Sequence, residues 1–310
     1  MQASKLIKVA IAGTGNVSQY LVEELVSYGH EVVVLSRRSN TQEKRCESRQ
    51  TDYSVNSLLT VLEDCDALVS TVADYQNLDI PLQIHLTMLE ACKQSRRCKT
   101  FVPSEWTSNV EDYPEQPMFF ANANEALHQK LKESTDIRST IVCNSWFADY
   151  IYPAQQRYLP DIGAPWPMDH ANKTFTIYGP GTQLIDIVSV RDVAKAVAVL
   201  LATTEPWDPY TYLSGQQLSW NDLFTIISKR DPEWTSRTKP LADTINQIVA
   251  NESPESVLTA QFEVLSYSGA SMFPKDKVQR HRAKYFPNLR FRNVEELLDA
   301  AAAARPGAIV

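Results

Sequence analysis

Short apolar runs alternate with amphipathic stretches along the first half of the chain. The apolar runs have the length of buried parallel strands, and they cover residues 7–12, 31–35, 67–72, 99–103 and 139–143. Between them, apolar positions recur at helical spacing around residues 17–25, 58–62, 82–94 and 123–134. This rhythm predicts an α/β fold of the Rossmann type, a doubly wound parallel sheet whose strands end at one common edge.

The pattern changes in the middle of the chain. Residues 151–172 are rich in Pro, Tyr, Asp and Gly and predict loops, and a further strand and an apolar helix follow them. We expect residues 1–155 to form the Rossmann-type domain, with 174–203 returning to it. We expect residues 156–173 and 204–310 to form a smaller α-rich C-terminal lobe that binds a substrate.

A glycine-rich turn joins the first predicted strand to the first predicted helix. Its sequence is Gly13-Thr14-Gly15-Asn16-Val17-Ser18. Gly13 permits a tight turn, and Gly15 lets the backbone approach a pyrophosphate at the positive end of the helix. Ser18, a small residue, replaces the third glycine of the usual pattern. The strand–turn–helix context predicts a dinucleotide site.

The end of the second strand indicates which dinucleotide binds. Ser36, Arg37 and Arg38 stand where an NAD-selective site carries an acidic residue. A carboxylate would repel a 2′-phosphate, whereas guanidinium groups and hydroxyls bind it. We therefore predict NADP(H) as the cofactor and residues 1–155 as its binding domain, against the alternative of two solvated surface arginines.

Composition narrows the class of protein further. The net charge of −7 argues against nucleic-acid binding through a broad basic face, and no apolar stretch is long enough for a membrane span. The five cysteines are scattered without a CxxC pair, which indicates reduced thiols in a cytoplasmic protein, and the histidines show no metal-ligand spacing. A small-molecule substrate is the expected partner. The composition leaves open whether the protein forms a homodimer.

Several segments together resemble the NmrA-like and isoflavone-reductase-like proteins, which are atypical short-chain dehydrogenase/reductase relatives. The matching segments are AGTGNVS, LSRRS, DALVSTV, FVPSEW and NSWFADY, and the similarity covers about residues 7–300, with the fungal natural-product branch most alike. The family includes reductases of phenylpropanoids and quinones, NADP-binding sensors without known catalysis, and natural-product enzymes that have left redox chemistry. The resemblance therefore implies the fold and NADP(H), and it leaves the reaction open.

The resemblance also implies roles for individual residues. The glycine turn from Gly13 to Val17 would hold the pyrophosphate, and Ser36, Arg37 and Arg38 the 2′-phosphate. The remaining cofactor-binding residues implied are Thr71, Val72, Pro103 and Asn144. The residues implied for the substrate pocket are Trp106, Asn122, Trp146, Phe147 and Tyr150.

One position departs from the family pattern. Reductases of this family carry a Lys that acts as general acid or base on the helix after the PSE segment, and Glu125 stands there in this chain. We expect Glu105, Glu125 and Ser104 to form the catalytic group, with the two carboxylates facing one cleft and their pKa values pushed apart. His128, one turn further on, is expected to be a surface residue.

Three functions follow from these residues. The first is an NADP(H)-dependent reductase of a small aromatic or alkaloid-like metabolite in secondary metabolism. The second is an NADP(H)-binding enzyme that performs acid/base chemistry without redox, such as an iminium or Pictet–Spengler-type ring closure by Glu105 and Glu125. The third is an NADP-binding redox sensor without catalysis.

Overall fold

The computed structural model describes residues 5–38, 45–74, 77 and 79–310, without the side chains of residues 120 and 122–124. Asn122, expected in the substrate pocket, thus has its side chain outside the described part of the chain.

Fourteen strands and ten α-helices are found in these ranges. The strands are β1 (Lys8–Ala12), β2 (Glu31–Ser36), β3 (Glu47–Gln50), β4 (Ala67–Ser70), β5 (Thr100–Val102), β6 (Arg138–Ser139), β7 (Ile141–Cys143), β8 (Trp146–Phe147), β9 (Met168–Asp169), β10 (Thr174–Tyr178), β11 (Leu184–Val188), β12 (Tyr210–Tyr212), β13 (Gln216–Ser219) and β14 (Thr235–Lys239). The helices are α1 (Asn16–Tyr28), α2 (Val55–Val61), α3 (Asp79–Gln94), α4 (Ala121–Glu133), α5 (Val190–Ala202), α6 (Trp220–Arg230), α7 (Leu241–Ala250), α8 (Pro254–Val264), α9 (Lys275–Tyr285) and α10 (Val294–Ala303).

The central sheet has six parallel strands in the order β3-β2-β1-β4-β5-β6. Directly after β6, strand β7 pairs in parallel with β12 from far along the chain. This topology confirms the predicted Rossmann-type doubly wound sheet. The edge strand β3 was not predicted, because its sequence Glu-Ser-Arg-Gln is entirely polar and mostly exposed.

Both faces of the central sheet are buried. In β1, Val9 and Ile11 pack into one apolar cluster with residues of α1 and α5, and Ala10 and Ala12 pack into another with residues of α2 and α3. Burial on both faces explains why the strand is an uninterrupted apolar run. Helix α1 ends at Gly29, which has φ of +108° and donates its N–H to the carbonyls of Leu25 and Val26, as is typical of a glycine C-cap.

The second half of the chain adds two small sheets, β9-β10-β14 and β8-β11-β13, and helices α6 to α10. Helix α5 packs on α1 beside the central sheet, but β10 pairs with β9 and β14. The prediction that all of 174–203 returns to the Rossmann-type domain is therefore wrong for its strand, because sheet membership depends on partners distant in sequence. The division of the chain at residue 155 stays a prediction.

None of the helices in the described ranges has the length and apolar character needed to cross a bilayer.

Candidate functional site

The glycine turn lies at the carboxyl end of β1, where Gly13 takes a conformation that other residues avoid. Its φ is +107°, and a Cβ at this position would stand 2.6 Å from Oγ1 of Thr71. The N–H of Gly13 donates to the carbonyl of Leu35 at 3.0 Å, and Thr71 Oγ1 donates to the carbonyl of Ala12 at 3.0 Å. The turn is therefore fixed against the ends of both neighbouring strands, and only glycine fits it.

Helix α1 begins at this turn without a side-chain cap. Its N-cap residue is Gly15, which has no side chain that could bond to the first N–H groups. A Cβ added to Gly15 would meet no atom within 4 Å. Thr14 and Gly15 are exposed, and Asn16 and Val17 are half-buried. The first N–H groups of α1 thus face open space with the positive end of the helix dipole, which is the arrangement that binds a phosphate.

The ends of β2 and β4 border the turn on either side. Arg37 and Arg38 follow directly after β2 and are exposed. Ser36 is buried, and its Oγ accepts the N–H of Arg38 at 3.1 Å, so its hydroxyl shapes the turn. Thr71 and Val72 follow β4 and are half-buried at the same edge.

A buried histidine connects the ends of β4 and β5. Nε2 of His85 lies 2.9 Å from Ser70 Oγ and accepts the backbone N–H of Ser104 at 3.3 Å. Burial lowers the pKa of His85 to about 4, so the ring is neutral at neutral pH and carries its proton on Nδ1. His85 thus fixes the backbone of the PSEW segment from below, while Pro103 is buried and the Ser104 side chain is half-buried.

An inner cavity of about 90 Å³ lies directly after this segment. Its lining residues come from the PSEW segment, the turn before β8, the end of α8 and one 3₁₀ turn. They are Glu105, Trp106, Thr107, Ser108, Pro117, Ser145, Trp146, Phe262, Leu265 and Ser271. Two of them are non-glycine residues in the left-handed region, Trp106 with φ of +42° and Ser145 with φ of +52°. Such conformations cost free energy and persist where the surroundings enforce them, which is common at functional sites.

The inner cavity also contains polar atoms without partners. Nε1 of Trp106 and Oγ of Ser108 are buried and make no hydrogen bond with the described part of the chain. Nearby, Oδ1 of Asn144 is buried and unpaired as well, although the backbone N–H of Asn144 donates to Thr107 at 2.9 Å. A buried polar group without a partner costs about 1–3 kcal/mol, so a ligand that pairs with these atoms would recover that cost.

Glu105, which lines this cavity, pairs with a histidine on helix α4. Its side chain is only 4% exposed, and both carboxylate oxygens lie 2.8 Å from Nε2 of His128 on α4. Nδ1 of His128 lies 3.5 Å from the hydroxyl of Tyr210 on β12, whose ring packs edge-on against the imidazole. The expectation that His128 is a surface residue is wrong, because the imidazole turns inward to the carboxylate.

Glu125 lies elsewhere. Its side chain is exposed and lines a second, larger space of about 1180 Å³, which we call the outer groove. The outer groove runs between α4 and the β7–β12 edge, and its lining includes Glu115, Glu125, His128, Lys132, Trp207 and Tyr210. Glu105 and Glu125 therefore line different cavities, and the expectation of two carboxylates in one cleft is wrong.

The aromatic residues expected in the substrate pocket separate in the same way. Trp106 and Trp146 line the inner cavity, and Nε1 of Trp146 donates to Ser271 Oγ at 3.0 Å. Tyr150 lines another cavity of about 400 Å³ and packs on Trp166 with ring centroids 5.6 Å apart. Phe147 is half-buried against the main apolar cluster.

Sequence reasoning missed several residues of this region. His128 and Tyr210 were missed as partners of Glu105, and Ser145, Phe262 and Ser271 were missed as parts of the inner cavity. The spacing of three residues between Glu125 and His128 put both on one helix, but nothing local indicated that β12 would bring Tyr210 to the imidazole. Within the described ranges, no cluster of three His, Cys, Asp or Glu side chains has metal-site geometry.

Comparisons with known proteins identify the family to which this chain belongs. The NmrA-like family model matches residues 3–298. The chain is 37% identical over 294 residues to the oxidoreductase swnR of Arthroderma benhamiae, which covers 94% of this chain and 96% of that protein.

Solved structures agree on the fold. The structure of AtPrR2 with NADP+ and (+)-pinoresinol matches with a TM-score of 0.76 at 18% identity, over 96% of this chain and 99% of that one. The leucoanthocyanidin reductase–NADPH complex from Vitis vinifera matches with a TM-score of 0.74 at 20% identity, over 96% and 100%. The family match spans nearly the whole chain, and the motifs quoted above had predicted it: the protein belongs to the NmrA-like family.

Proposed function

We propose that this protein is an NADP(H)-dependent reductase of a small, aromatic carbonyl compound. The observation that carries this proposal is the inner cavity, where a carboxylate backed by an imidazole lies beside two buried donors that lack partners, Trp106 Nε1 and Ser108 Oγ.

The residues at the sheet edge fit NADP(H). The glycine turn leaves the N–H groups of α1 free for a pyrophosphate, and Gly13 has no room for a side chain. Arg37 and Arg38 are exposed at the position that a 2′-phosphate would reach. Thr71, Val72, Pro103 and Asn144 would border the remainder of the cofactor, and the related reductase structures with NADP+ or NADPH support this assignment.

The inner cavity suits the other half of the reaction. Bound NADPH supplies a hydride, and reduction of a carbonyl leaves negative charge on its oxygen. The N–H of Trp106 and the hydroxyl of Ser108 would donate to that oxygen, and fixed donors in a dry site stabilise such charge strongly. Glu105 would then give the oxygen its proton. In this proposal Glu105 takes the place of the family Lys, and Glu125 does not.

The test uses NADPH consumption with small aromatic aldehydes and ketones, beginning with benzaldehyde. Glu105→Gln keeps the shape of the side chain but removes the proton, and we expect turnover to fall about 100-fold with NADPH affinity unchanged. The matched control is Glu125→Gln, an exposed carboxylate outside the inner cavity, which should change turnover less than about threefold. Equal losses in both variants would contradict the assignment of Glu105.

A second candidate function is supported by the charge of the inner cavity. A carboxylate that is 4% exposed would also stabilise a cationic iminium, as in alkaloid-like substrates. Pyrroline, a cyclic imine, distinguishes the two: product formation from pyrroline without NADPH consumption would indicate acid/base chemistry. A sensor would bind NADPH and consume it with none of these compounds. A role in secondary metabolism, a cytoplasmic location and a homodimer stay predictions.

A further inference from the structure

We propose that protons reach the inner cavity from the outer groove through His128, which reloads Glu105 after each turnover. This inference rests on the proposed reductase function, because it concerns the proton that the reduction consumes. It makes His128 a positioning and proton-relay residue, since it touches Glu105 and not the substrate.

Glu105 and His128 together connect the inner cavity with the outer groove. Glu105 lines the inner cavity and is 4% exposed, whereas His128 lines the outer groove and is 15% exposed. Nε2 of His128 lies 2.8 Å from both oxygens of Glu105. A proton on this nitrogen is therefore within direct transfer distance of the carboxylate, and the ring itself reaches the solvent of the outer groove.

The rings of the other described histidines make hydrogen bonds with the backbone, among them His170, whose Nε2 lies 2.9 Å from the carbonyl of Tyr150. His281 also pairs with a carboxylate, Asp208, at 3.0 Å, but its Nδ1 accepts the backbone N–H of Tyr212 at 2.9 Å. His30 accepts the N–H of Ile7 at 3.3 Å, and His85 accepts a backbone N–H as described above. A ring nitrogen that must accept a backbone N–H cannot take up a proton without losing that bond.

No backbone N–H of the described residues donates to the ring of His128. Among the described side chains, the hydrogen-bonding group nearest to its Nδ1 is the hydroxyl of Tyr210, at the long distance of 3.5 Å, and His128 lines the outer groove. The Tyr210 ring packs edge-on against the imidazole, with ring centroids 5.8 Å apart. Among the described histidines, His128 alone combines a buried carboxylate on one nitrogen with a solvent-filled space at the other side.

The other titratable groups near Glu105 and His128 do not offer another path for the proton. Burial raises the pKa of Tyr210 to about 12, and burial raises the pKa of the Cys143 thiol, so both stay protonated at neutral pH. The outer groove is lined by the carboxylates of Glu115 and Glu125 and by the ammonium group of Lys132, whereas Glu111 pairs with Tyr212 and Lys277 outside it.

The transfer balances as one proton per reduction. The imidazolium of His128 passes its Nε2 proton to Glu105, and Glu105 passes a proton to the substrate oxygen, while the hydride comes from NADPH. His128 is left neutral with its Nδ1 proton. It regains a proton at Nε2 from water when the ring turns toward the outer groove, so the net reactants are carbonyl, NADPH and one solvent proton.

The experiment removes the imidazole and then returns it. In His128→Ala, with benzaldehyde and NADPH, we expect kcat to fall about 100-fold, and KM and the Kd for NADPH to stay within about twofold. Free imidazole added to the solution should restore turnover in proportion to its concentration, because the outer groove admits it. The control is His281→Ala, which loses the partner of the Tyr212 N–H: its thermal stability should fall, and imidazole should not restore its rate. An equal imidazole effect in both variants, or none in His128→Ala, would overturn the relay.

A readout without turnover separates this inference from the proposed function. In the nitrogen NMR spectrum of the protein with labelled histidine, the Nε2 proton of His128 should be visible and should exchange with water faster than the Nε2 proton of His281. Glu105→Gln should shift the His128 signal and leave that of His281 in place. If NADPH is consumed with no compound but these signals behave as stated, the reductase proposal fails and the proton path stands. If the His128 proton is protected from water as strongly as that of His281, the path fails whatever the turnover.

Discussion

The nucleotide-binding edge and the inner cavity are two parts of one sheet edge, and they are built in opposite ways. At the nucleotide-binding edge, formed by the glycine turn and the end of β2, Thr14, Gly15, Arg37 and Arg38 are exposed, and the groups proposed to bind are backbone N–H groups and long cationic side chains. At the inner cavity, Glu105 is almost fully buried, the free space is about 90 Å³, and polar atoms are left without partners.

The difference reflects what each part must do. Fixed N–H groups and cationic side chains can bind a phosphate while water is still present around them. An open surface is therefore sufficient for this purpose. Charge that develops during a reaction is stabilised best by fixed dipoles in a place without water. The strongest constraints on the sequence therefore differ: backbone conformation at the first part, and burial of specific side chains at the second.

The largest loss of stability is expected from a substitution of Gly13 at the nucleotide-binding edge. Gly13→Ala places a Cβ 2.6 Å from Thr71 Oγ1 at φ of +107°, and we expect the free energy of unfolding to fall by about 3 kcal/mol. Gly163→Ala is the control, because Gly163 also has positive φ, +68°, but no atom within 4 Å. It should cost about 1 kcal/mol. Urea unfolding measures both, and equal losses would show that the contact with Thr71 is unimportant.

The next effect concerns His85, which connects the two parts. Its pKa of about 4 lies below the ordinary 6.5, so between these values the unfolded chain binds a proton that the folded chain does not. The free energy of unfolding should therefore fall as the pH decreases, by about 2 kcal/mol from this group between about pH 7.5 and pH 5.

The measurement compares the wild type with His85→Gln by urea unfolding at both pH values. Asp149 acts in the opposite direction, because burial raises its pKa to about 6 and stabilises the folded chain as the pH falls below that value. Asp149 is present in both proteins, so the difference between their pH dependences isolates His85. Parallel curves for the two proteins would mean that His85 is not buried in its neutral form.

The preference for NADPH over NADH tests whether the two arginines of the nucleotide-binding edge bind the 2′-phosphate. NADPH should bind at least about tenfold more tightly than NADH, about 1.4 kcal/mol, if Arg37 and Arg38 bind the 2′-phosphate as proposed. Arg37→Ala with Arg38→Ala should remove most of this preference and leave NADH affinity nearly unchanged. Fluorescence titration gives both constants, and equal affinities for the two cofactors in the wild type would refute the assignment.

The smallest effect tests the inner cavity by a matched pair of serines. Ser108→Ala removes a buried hydroxyl without a partner, so stability should stay equal or rise by up to about 1 kcal/mol, while kcat/KM for benzaldehyde falls. Ser271→Ala removes the acceptor of the Trp146 Nε1–H and should lower the free energy of unfolding by about 1 kcal/mol. Thermal unfolding and steady-state rates separate the two, and a destabilised Ser108→Ala would show that its hydroxyl is already paired.

The same comparison explains what the sequence predicted. The order β1–turn–α1–β2 was predicted because glycines, apolar periodicity and Arg37 are local signals. Strand β3 was missed because its residues are polar, and β10 was assigned to the wrong sheet because β14 lies about sixty residues later. In such pairings the partner, and not the strand itself, determines the sheet.

The inner cavity depends on distant contacts in the same way. Glu105 was singled out from its motif, but His128 is 23 residues away and Tyr210 is a further 82 residues from His128. The register that put Glu125 at the position of the family Lys says nothing about which side of α4 faces Glu105. Residues that bind through the backbone were thus predictable, whereas residues that meet through packing were not.

The left-handed conformations of Trp106 and Ser145 carry a consequence for engineering. Each one costs about 1–3 kcal/mol, and a glycine at position 145 would relax that backbone. Laboratory evolution for heat resistance alone would therefore favour substitutions there, and would loosen the cavity wall that Ser145 secures by donating its hydroxyl to the carbonyl of Ser271 at 2.8 Å. A thermostable variant of this protein is best sought at surface positions far from this turn, where a gain in stability does not trade against activity.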